Sequence, residues 1–391
     1  MTQAIKTIPK NPALQFPPFD LERLLKTTLN PQKKEKLCIL IDLEKPSDIV
    51  EYKFLKNAEL PVQKRAYDVF YQGLRQGVMQ KFGLDACDLF AYKATGGSNL
   101  ELPTNLTAPD GTVLEFEKDI YPRYQLILCI STYSATAPLT AAAKRYGFRG
   151  ATMHGMNDII ISSGLAVDYN EVSRCAELLR KGMTHATSAE VDFEVKGVPY
   201  HLKIDLGEQE AQKSHGICHD KGDIVNLPAG EVYFVPIDAS GEFPIKFEED
   251  GSLGLMHVSN GRVDKVTTLS GNPETAKKYQ AKFIADPAAG VLGELGFGTQ
   301  VLPYSHADIQ DEKIFGTFHL ATGRNDHLSG SVTKEKFKNL KNATHEDILF
   351  SSTKTPEIHI KQVRLKRHNQ IHTLIENYAP SHYLLRLLKG P

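Results

Sequence analysis

Three acids and two histidines in the second half of the chain carry side chains that bind divalent metal ions. They are Glu231, Glu294, His319, His345 and Asp347. Carboxylate oxygens and imidazole nitrogens are common ligands of Zn²⁺, Mn²⁺, Co²⁺ and Fe²⁺. His345 and Asp347 are two residues apart, and residues i and i+2 of a strand face the same side, so both can reach one ion. The set predicts a site for one or two metal ions.

The segments that must position these side chains lie between Asn226 and Asp347. They are short, apolar or glycine-rich, and typical of strands and tight loops. Glu294 lies in the segment Gly293-Glu-Leu-Gly-Phe-Gly298, whose glycines let the backbone bend and approach an ion closely. We therefore expect the segments to fold together around the metal.

The first half of the chain has the pattern of an open α/β layer. Continuous apolar runs at Leu37–Asp42 and Tyr124–Ile130 are typical of buried parallel strands. Helical spacing of apolar residues at Gln63–Phe82 lies between them. Because strands alternate with helices, we predict an irregular lead-in over residues 1–20 and an open α/β N-terminal domain over residues 21–185.

From residue 186 the pattern changes to short strands. Val191–Val195 alternates apolar and polar residues, and the pairs Asp250-Gly251 and Asn260-Gly261 are strong hairpin turns. We predict a β-rich α+β metal-binding domain over residues 186–360. A basic stretch and then an apolar helix predict a C-terminal extension over residues 361–391, with a solvated face and a docking helix.

The composition argues against several classes of partner. The chain has 391 residues, 41% of them hydrophobic and 24% charged, with a formal net charge of −1, so it does not predict binding to nucleic acid or anionic membranes. Its five widely spaced cysteines predict reduced, mostly buried thiols, as in cytoplasmic proteins. No apolar run approaches the roughly 18 residues of a membrane span. We expect a cytoplasmic protein without a nucleic-acid or membrane partner.

Several segments, in the same order, resemble the M29 family of metal-dependent aminopeptidases, of the aminopeptidase T type. The closest likeness is to its leucyl aminopeptidase-like branch. The resemblance extends from about Leu126 to Phe350. It rests on Ser131–Ser134, Arg149–Met153, Asn226–Glu231, Asn260–Arg262, Gly293–Gly296, Asp311–Lys313, Gly316–Thr317, His319–Ala321 and His345–Asp347.

The resemblance implies an enzyme that removes N-terminal residues from peptides or related small amides through a metal-activated water. It implies two ions per chain, Zn, Co or Mn, and a homodimer. The implied metal ligands are Glu231, Glu294, His319, His345 and Asp347. Glu312 falls near a further acidic position of the family, from which it would carry a proton to the leaving amine.

One position departs from the family pattern. Well-studied members have a catalytic tyrosine seven residues after the histidine that matches His319, and here Asp326 stands there. We expect Arg324 or His327 to replace the tyrosine as hydrogen-bond donor to the oxyanion.

Two other classes of function stay open. The first is a mononuclear Fe(II) oxygenase that uses His319, His345 and Asp347 as a facial triad. A ring-cleaving iron dioxygenase of dihydroxypyridine shares the family fold and resembles this chain less well, because it has histidine at the position of Glu294 and serine at that of His319. The second is a non-catalytic member that binds metal or peptide without turnover.

Three further features have two interpretations each. Ser131–Ser134 follows a strand at its carboxyl end, where α/β sheets bind ligands, so it lines a cleft or forms a plain loop. His154 is either a pocket residue from the first domain or a satisfied interior histidine. The segment His215–His219, which includes Cys218, is predicted to be an exposed loop, with lining of the site entrance as the alternative.

Overall fold

The computed structural model describes residues 14–389. Within them, helices and three β-sheets build an α/β fold with a β-rich second half, which confirms the predicted fold class. Of the predicted lead-in over residues 1–20, residues 1–13 lie outside the described part, and residues 14–20 have no regular secondary structure.

The first sheet, which we call the mixed sheet, has seven strands. Five neighbouring strands are parallel, and the last two pair antiparallel at one edge. Both faces of its strand Lys36–Leu43 are buried, as the continuous apolar run predicts. In spatial order the strands are Ile224–Asn226, Arg149–His154, Leu126–Ser131, Lys36–Leu43, Ala86–Lys93, Asn105–Thr107 and Val113–Glu115.

Helices flank the sheets. Asp20 caps the first of them, because its side chain accepts a hydrogen bond from the Arg23 amide at 3.1 Å. The α-helices are Leu21–Thr28, Pro61–Arg65, Met79–Phe82, Thr136–Tyr146, Asp158–Ser162, Tyr169–Met183, Pro273–Ala285, Asp308–Asp311 and His382–Leu388. The π and 3₁₀ segments are Pro46–Lys56, Ala66–Tyr71, Leu74–Val78, Phe116–Ile120, Pro287–Gly290, Asp326–Leu328, Lys334–Lys336 and Leu340–Asn342. The helix predicted over Gln63–Phe82 therefore forms with π turns inside it and with a kink at Gln76 and Gly77.

A five-stranded sheet carries the predicted metal ligands. All of its neighbouring strands are antiparallel. Phe318 and Leu320 point into an apolar core, so the alternate residues of that strand face the opposite side. In spatial order the strands are His345–Phe350, Phe318–Gly323, Leu292–Gly298, Glu231–Phe234 and Gln212–Ser214.

An eight-stranded sheet completes the β-rich half and shares the core with the five-stranded sheet. The rings of Phe193, Phe318 and Phe350 meet in this core, with the Phe318 and Phe350 ring centres 4.9 Å apart. In spatial order the strands are Arg262–Ser270, Leu253–Ser259, Asp238–Lys246, Val198–Asp205, Ala186–Val195, His359–Arg367, Gln370–Glu376 and Ala379–Pro380.

The segment from Lys361 is part of this sheet, which corrects the prediction of a separate extension over residues 361–391. Strand His359–Arg367 pairs along its length with Ala186–Val195. Its basic residues alternate with buried Val363 and Leu365, a strand pattern that the charge count hid. The predicted docking helix does form, and Tyr383 in it donates a hydrogen bond to the Gly182 carbonyl at 2.6 Å.

Two observations within residues 14–389 concern the classes that the composition addressed. No helix there is long and apolar enough to cross a membrane. All five cysteines are free thiols, and four of them are buried.

Candidate metal centre

The five predicted metal-binding side chains lie on one face of the five-stranded sheet. Strand register brings them together, because Glu294 pairs with Ala321 and Ala321 pairs with Asp347 across the sheet. His345 lies two residues before Asp347 on the same face, as its spacing predicts. Glu231 opens the neighbouring strand opposite Gly298.

Gly296 makes room for one of these ligands. It lies directly across from His319, and a Cβ atom built on it would lie 2.1 Å from Cε1 of the histidine ring. The glycines around Glu294 were predicted to let the backbone approach an ion. In the structure Gly296 instead admits the ring of His319, so the glycine serves a ligand from the neighbouring strand.

The donor atoms form three overlapping trios, each with its atoms within 4.8 Å of one another. Each trio contains one histidine and two carboxylates, and Glu294, His319 and Asp347 each belong to two of them. The trios are Glu231–Glu294–His319, Glu294–His345–Asp347 and Glu312–His319–Asp347. No trio among residues 14–389 contains both His319 and His345, and the trio with His345 is completed by Glu294 and Asp347.

His345 is held in one orientation. Its Nδ1 donates to the carbonyl oxygen of Arg324 at 2.6 Å, which leaves Nε2 to face the carboxylates. Nε2 lies 3.0 Å from Glu294 Oε2 and 3.3 Å from Asp347 Oδ1. A backbone contact of this kind is the usual support of a metal-binding imidazole.

Lys313 is the cation that the sequence did not single out. Its side chain is 1% exposed, and its Nζ lies 2.7 Å from Glu231 Oε2 and 2.5 Å from Glu312 Oε1. A lysine is almost never buried without partners, and here two buried carboxylates partner it. The resemblance included this residue only as part of a motif, and its role depends on contacts that are remote in sequence.

The charges of the cluster do not balance without further cations. Glu231, Glu294 and Glu312 are buried and Asp347 opens to the cavity, whereas Lys313 is the one permanent cation in contact with them among the described residues. Buried charge of one sign is costly unless it is neutralised.

The pKa shifts show that bound protons neutralise part of this buried negative charge. Burial raises the pKa of Glu312 to about 8, and the positive charge of Lys313 offsets only part of the shift. Burial alone would lower the pKa of His319, but the hydrogen bond and charge of Glu294 raise it to about 10. Protons and divalent cations compete for the same donors. The residues present therefore fit one or more divalent metal ions.

The guanidinium of Arg324, one of the two predicted oxyanion donors, is engaged by other partners. It donates to Asp326 at 2.7 and 3.1 Å, to Glu101 at 2.8 Å and to the Asn99 carbonyl at 3.1 Å. The Asp326 carboxylate is thus engaged too. His327 remains beside the centre, with its ring edge-on to His345 at 4.9 Å between ring centres, and it lines the adjoining cavity.

A cavity of about 870 Å³ lies over the centre, and Glu312 lines it with the five predicted ligands. A second wall, which we call the mixed-sheet wall, comes from the carboxyl ends of mixed-sheet strands and the segments that follow them, the usual place for ligands in α/β sheets. Ser134, Thr136, His154 and Asn226 line this wall, so His154 and the end of Ser131–Ser134 take the pocket position that the sequence offered as one interpretation.

The segment His215–His219 is not the exposed loop that we predicted. His215 lines the cavity and hydrogen-bonds the Ser173 hydroxyl at 3.0 Å, and Cys218 is fully buried. Within the segment, His219 alone is exposed. The polar composition of the segment concealed its packing against the helix Tyr169–Met183.

Comparisons with known proteins bear on the fold. No protein-family model matches the chain, and no curated protein sequence matches it. Among solved structures, it is similar to 2,5-dihydroxypyridine dioxygenase from Pseudomonas putida KT2440, with a TM-score of 0.60, 12% identity, and coverage of 92% of this chain and 95% of that chain. At this identity the similarity establishes the fold alone.

Proposed function

We propose that the chain is a metal-dependent enzyme that hydrolyses an amide or peptide bond of a substrate bound in the cavity. The observation that carries the proposal is the set of three trios, each with one histidine and two carboxylates, on one wall of that cavity. Fold alone does not decide chemistry, since one fold hosts many functions, whereas the donor set constrains it directly.

The sharing of donors between trios favours hydrolysis. Glu294, His319 and Asp347 each belong to two trios, an arrangement suited to neighbouring ions that share ligands. A divalent cation bound there supplies Lewis acidity and lowers the pKa of a water molecule. Carboxylate-rich sets with one imidazole suit Zn, Mn or Co.

The side chains around the cluster have separable roles in this proposal. Glu312 reaches the cavity, and once a bound cation displaces its proton, the carboxylate would accept a proton from the attacking water and deliver it to the leaving amine. Lys313 holds Glu312 and Glu231 in place. His327 is the side chain left to donate to the developing oxyanion, because Arg324 is engaged with Asp326, Glu101 and Asn99.

The narrower assignment, an aminopeptidase of the M29 type that acts as a cytoplasmic homodimer, rests on the order of the sequence motifs. Asp326 stands where the family has its tyrosine, and its carboxylate accepts hydrogen bonds from Arg324. It is therefore no substitute donor. Turnover in this chain then depends on His327.

A second candidate is a ring-cleaving oxygenase with one Fe(II), and the similarity to the dioxygenase fold favours it. Its ion would be held by Glu294, His345 and Asp347. Neither acid of this trio is paired with Lys313. That trio has one histidine, whereas the facial triad of such enzymes has two. The donor set therefore ranks this candidate second.

Metal analysis combined with two assays separates the candidates. Protein purified without chelator is analysed for bound metal, then incubated with leucine p-nitroanilide or with 2,5-dihydroxypyridine under oxygen. We expect close to two Zn, Mn or Co per chain and release of p-nitroaniline. One iron per chain with oxygen consumption would replace the hydrolase by the oxygenase. Absence of metal after reconstitution would overturn both.

A further inference from the structure

The mixed-sheet wall of the cavity contains a polar group to which three elements contribute. Thr136 opens a helix, Thr152 lies in the strand Arg149–His154, and Asn226 ends the edge strand of the mixed sheet. Both threonine hydroxyls donate to the amide oxygen of Asn226, that of Thr136 at 2.5 Å. This contact orients the Asn226 amide and leaves its NH₂ group to donate to another acceptor. Asn226 also lines the cavity.

His154 stands beside this group and has an unmet hydrogen-bonding need. It lies two residues after Thr152 on the same strand, so both side chains point to the same side. Its Nδ1 is buried and has no hydrogen-bond partner within the described part of the chain. A buried polar atom without a partner is uncommon in folded proteins, and a bound ligand is one way to satisfy it.

The chemistry of this wall differs from that of the metal wall. Burial lowers the pKa of His154 to about 4, so its imidazole is neutral and offers one N–H donor near pH 7. The NH₂ group of Asn226 is a second uncharged donor, whereas the hydroxyl hydrogen of Thr136 is already donated to the amide oxygen of Asn226. Neutral donors that converge on one cavity wall suit the oxygen atoms of a carboxylate or amide group.

We propose that His154 and Asn226, with the Asn226 amide oriented by Thr136, form a substrate subsite that binds a terminal carboxylate or amide group of the substrate, away from the reacting bond. The subsite rests on the proposed function, because that function places the reacting bond at the metal centre. A substrate that spans the cavity is then fixed at both ends, by metal at one wall and by neutral hydrogen-bond donors at the other.

Matched hydroxamates test the subsite without turnover. Metal-loaded protein is titrated calorimetrically with monohydroxamates of succinic, adipic and suberic acid, and with alkyl hydroxamates of the same lengths that end in a methyl group. The hydroxamate end binds metal in every probe. We expect the carboxylate-ended probe of one length to bind at least about tenfold more tightly than the methyl-ended probe of that length. A probe of the same length that ends in a primary amide is expected to show the same preference.

Two variants assign the preference to this wall. Asn226→Asp retains an oxygen for the two threonine hydroxyls but removes the NH₂ donor, and His154→Leu removes the imidazole. Each is expected to abolish the preference while metal content and binding of the methyl-ended probes stay unchanged. His201→Leu, at an exposed position on the eight-stranded sheet, is the control that retains the preference.

The outcomes distinguish the subsite from the metal centre. Equal binding of the paired probes by the wild-type protein at every length would overturn the subsite and leave the proposed function intact. A preference that survives both variants would also overturn it. Failure of every hydroxamate to bind, together with failure to retain metal, would overturn the proposed function and the subsite with it.

Discussion

The same pair of residue types occurs in two regions of this protein with different consequences. On the eight-stranded sheet, His201 lies 2.7 Å from Asp192 and His257 lies 2.8 Å from Glu242. On the five-stranded sheet, His345 lies 3.0 Å from Glu294. The distances are alike, but the side chains of His201 and Asp192 are 48% and 32% exposed, against 4% and 5% for His345 and Glu294.

The difference teaches that a histidine–carboxylate pair becomes a candidate metal site through burial and convergence. Water and salt screen the exposed pairs, which contribute little to stability. In the buried cluster the same charges interact strongly and have few alternatives to a cation. Among residues 14–389, the trios with metal-like spacing all lie in the buried cluster and its opening to the cavity.

The largest expected effect follows removal of the buried cation. Lys313→Met leaves Glu231 and Glu312 without their ammonium partner, and breaking a buried ion pair in this way costs about 3–5 kcal/mol. Urea unfolding of metal-free protein measures the loss. The matched control is Lys277→Met, whose exposed pair with Glu274 predicts no measurable change. Similar losses of unfolding free energy in both variants would contradict the claim that the buried ion pairs stabilise the protein more than the exposed ones.

Loss of a ligand is expected to affect metal binding more than folding. His345→Ala removes an imidazole shared by Glu294 and Asp347, and we expect metal affinity to fall more than about 100-fold, since loss of a supporting contact alone costs 10–100-fold. Competition with a fluorescent chelator gives the affinity. His201→Ala removes the exposed counterpart and should bind metal as the wild type does. Equal metal retention by the two variants would contradict the assignment of the centre.

A methyl group at Gly296 tests how tightly the cluster is built. Gly296→Ala places Cβ against the His319 ring, and overpacking of this kind costs about 1–3 kcal/mol and displaces the ligand. Gly293→Ala, on the same strand with its nearest heavy atom at 3.2 Å, is the milder control. Unfolding midpoints and metal content measure both. Retention of full metal content by Gly296→Ala would show that the ring of His319 is free to move.

The smallest effect is expected at a half-exposed pair between the two extremes. Glu101→Gln weakens the contact of Glu101, 42% exposed, with Arg324, 2% exposed. Because water screens one partner, we expect a loss below about 1 kcal/mol that shrinks further in high salt. Unfolding at low and high ionic strength measures it. A loss of several kcal/mol in unfolding free energy that does not depend on salt would show that this contact behaves as a buried ion pair.

The sequence predicted best what depends on local pattern. The strand Lys36–Leu43 follows from a short apolar run, and the shared face of His345 and Asp347 follows from their spacing. Arg324 illustrates what a local pattern omits, since its partners Asn99 and Glu101 lie more than 200 residues away. The sequence position of Arg324 predicted that it acts near the reacting bond, whereas its hydrogen bonds to these distant partners determine the orientation of its guanidinium.

Three other features escaped prediction for the same physical reason. The pairing of His359–Arg367 with Ala186–Val195, the burial of Lys313 and the packing of Cys218 all depend on contacts between distant segments. Charge predicted a solvated face for the segment from Lys361, polarity predicted an exposed loop around Cys218, and no local pattern indicated that Lys313 is buried. Burial of polar residues depends on partners that only the folded chain supplies.

The edge strand Ile224–Asn226 has a consequence for how the chain is made. It pairs with Arg149–His154, although 69 residues separate His154 from Ile224 along the chain. At synthesis rates of roughly 5–20 residues per second, the ribosome needs about 3–14 s to deliver it. Until then the backbone of Arg149–His154 is an open sheet edge on the nascent chain, the kind of surface that chaperones shield from other strands.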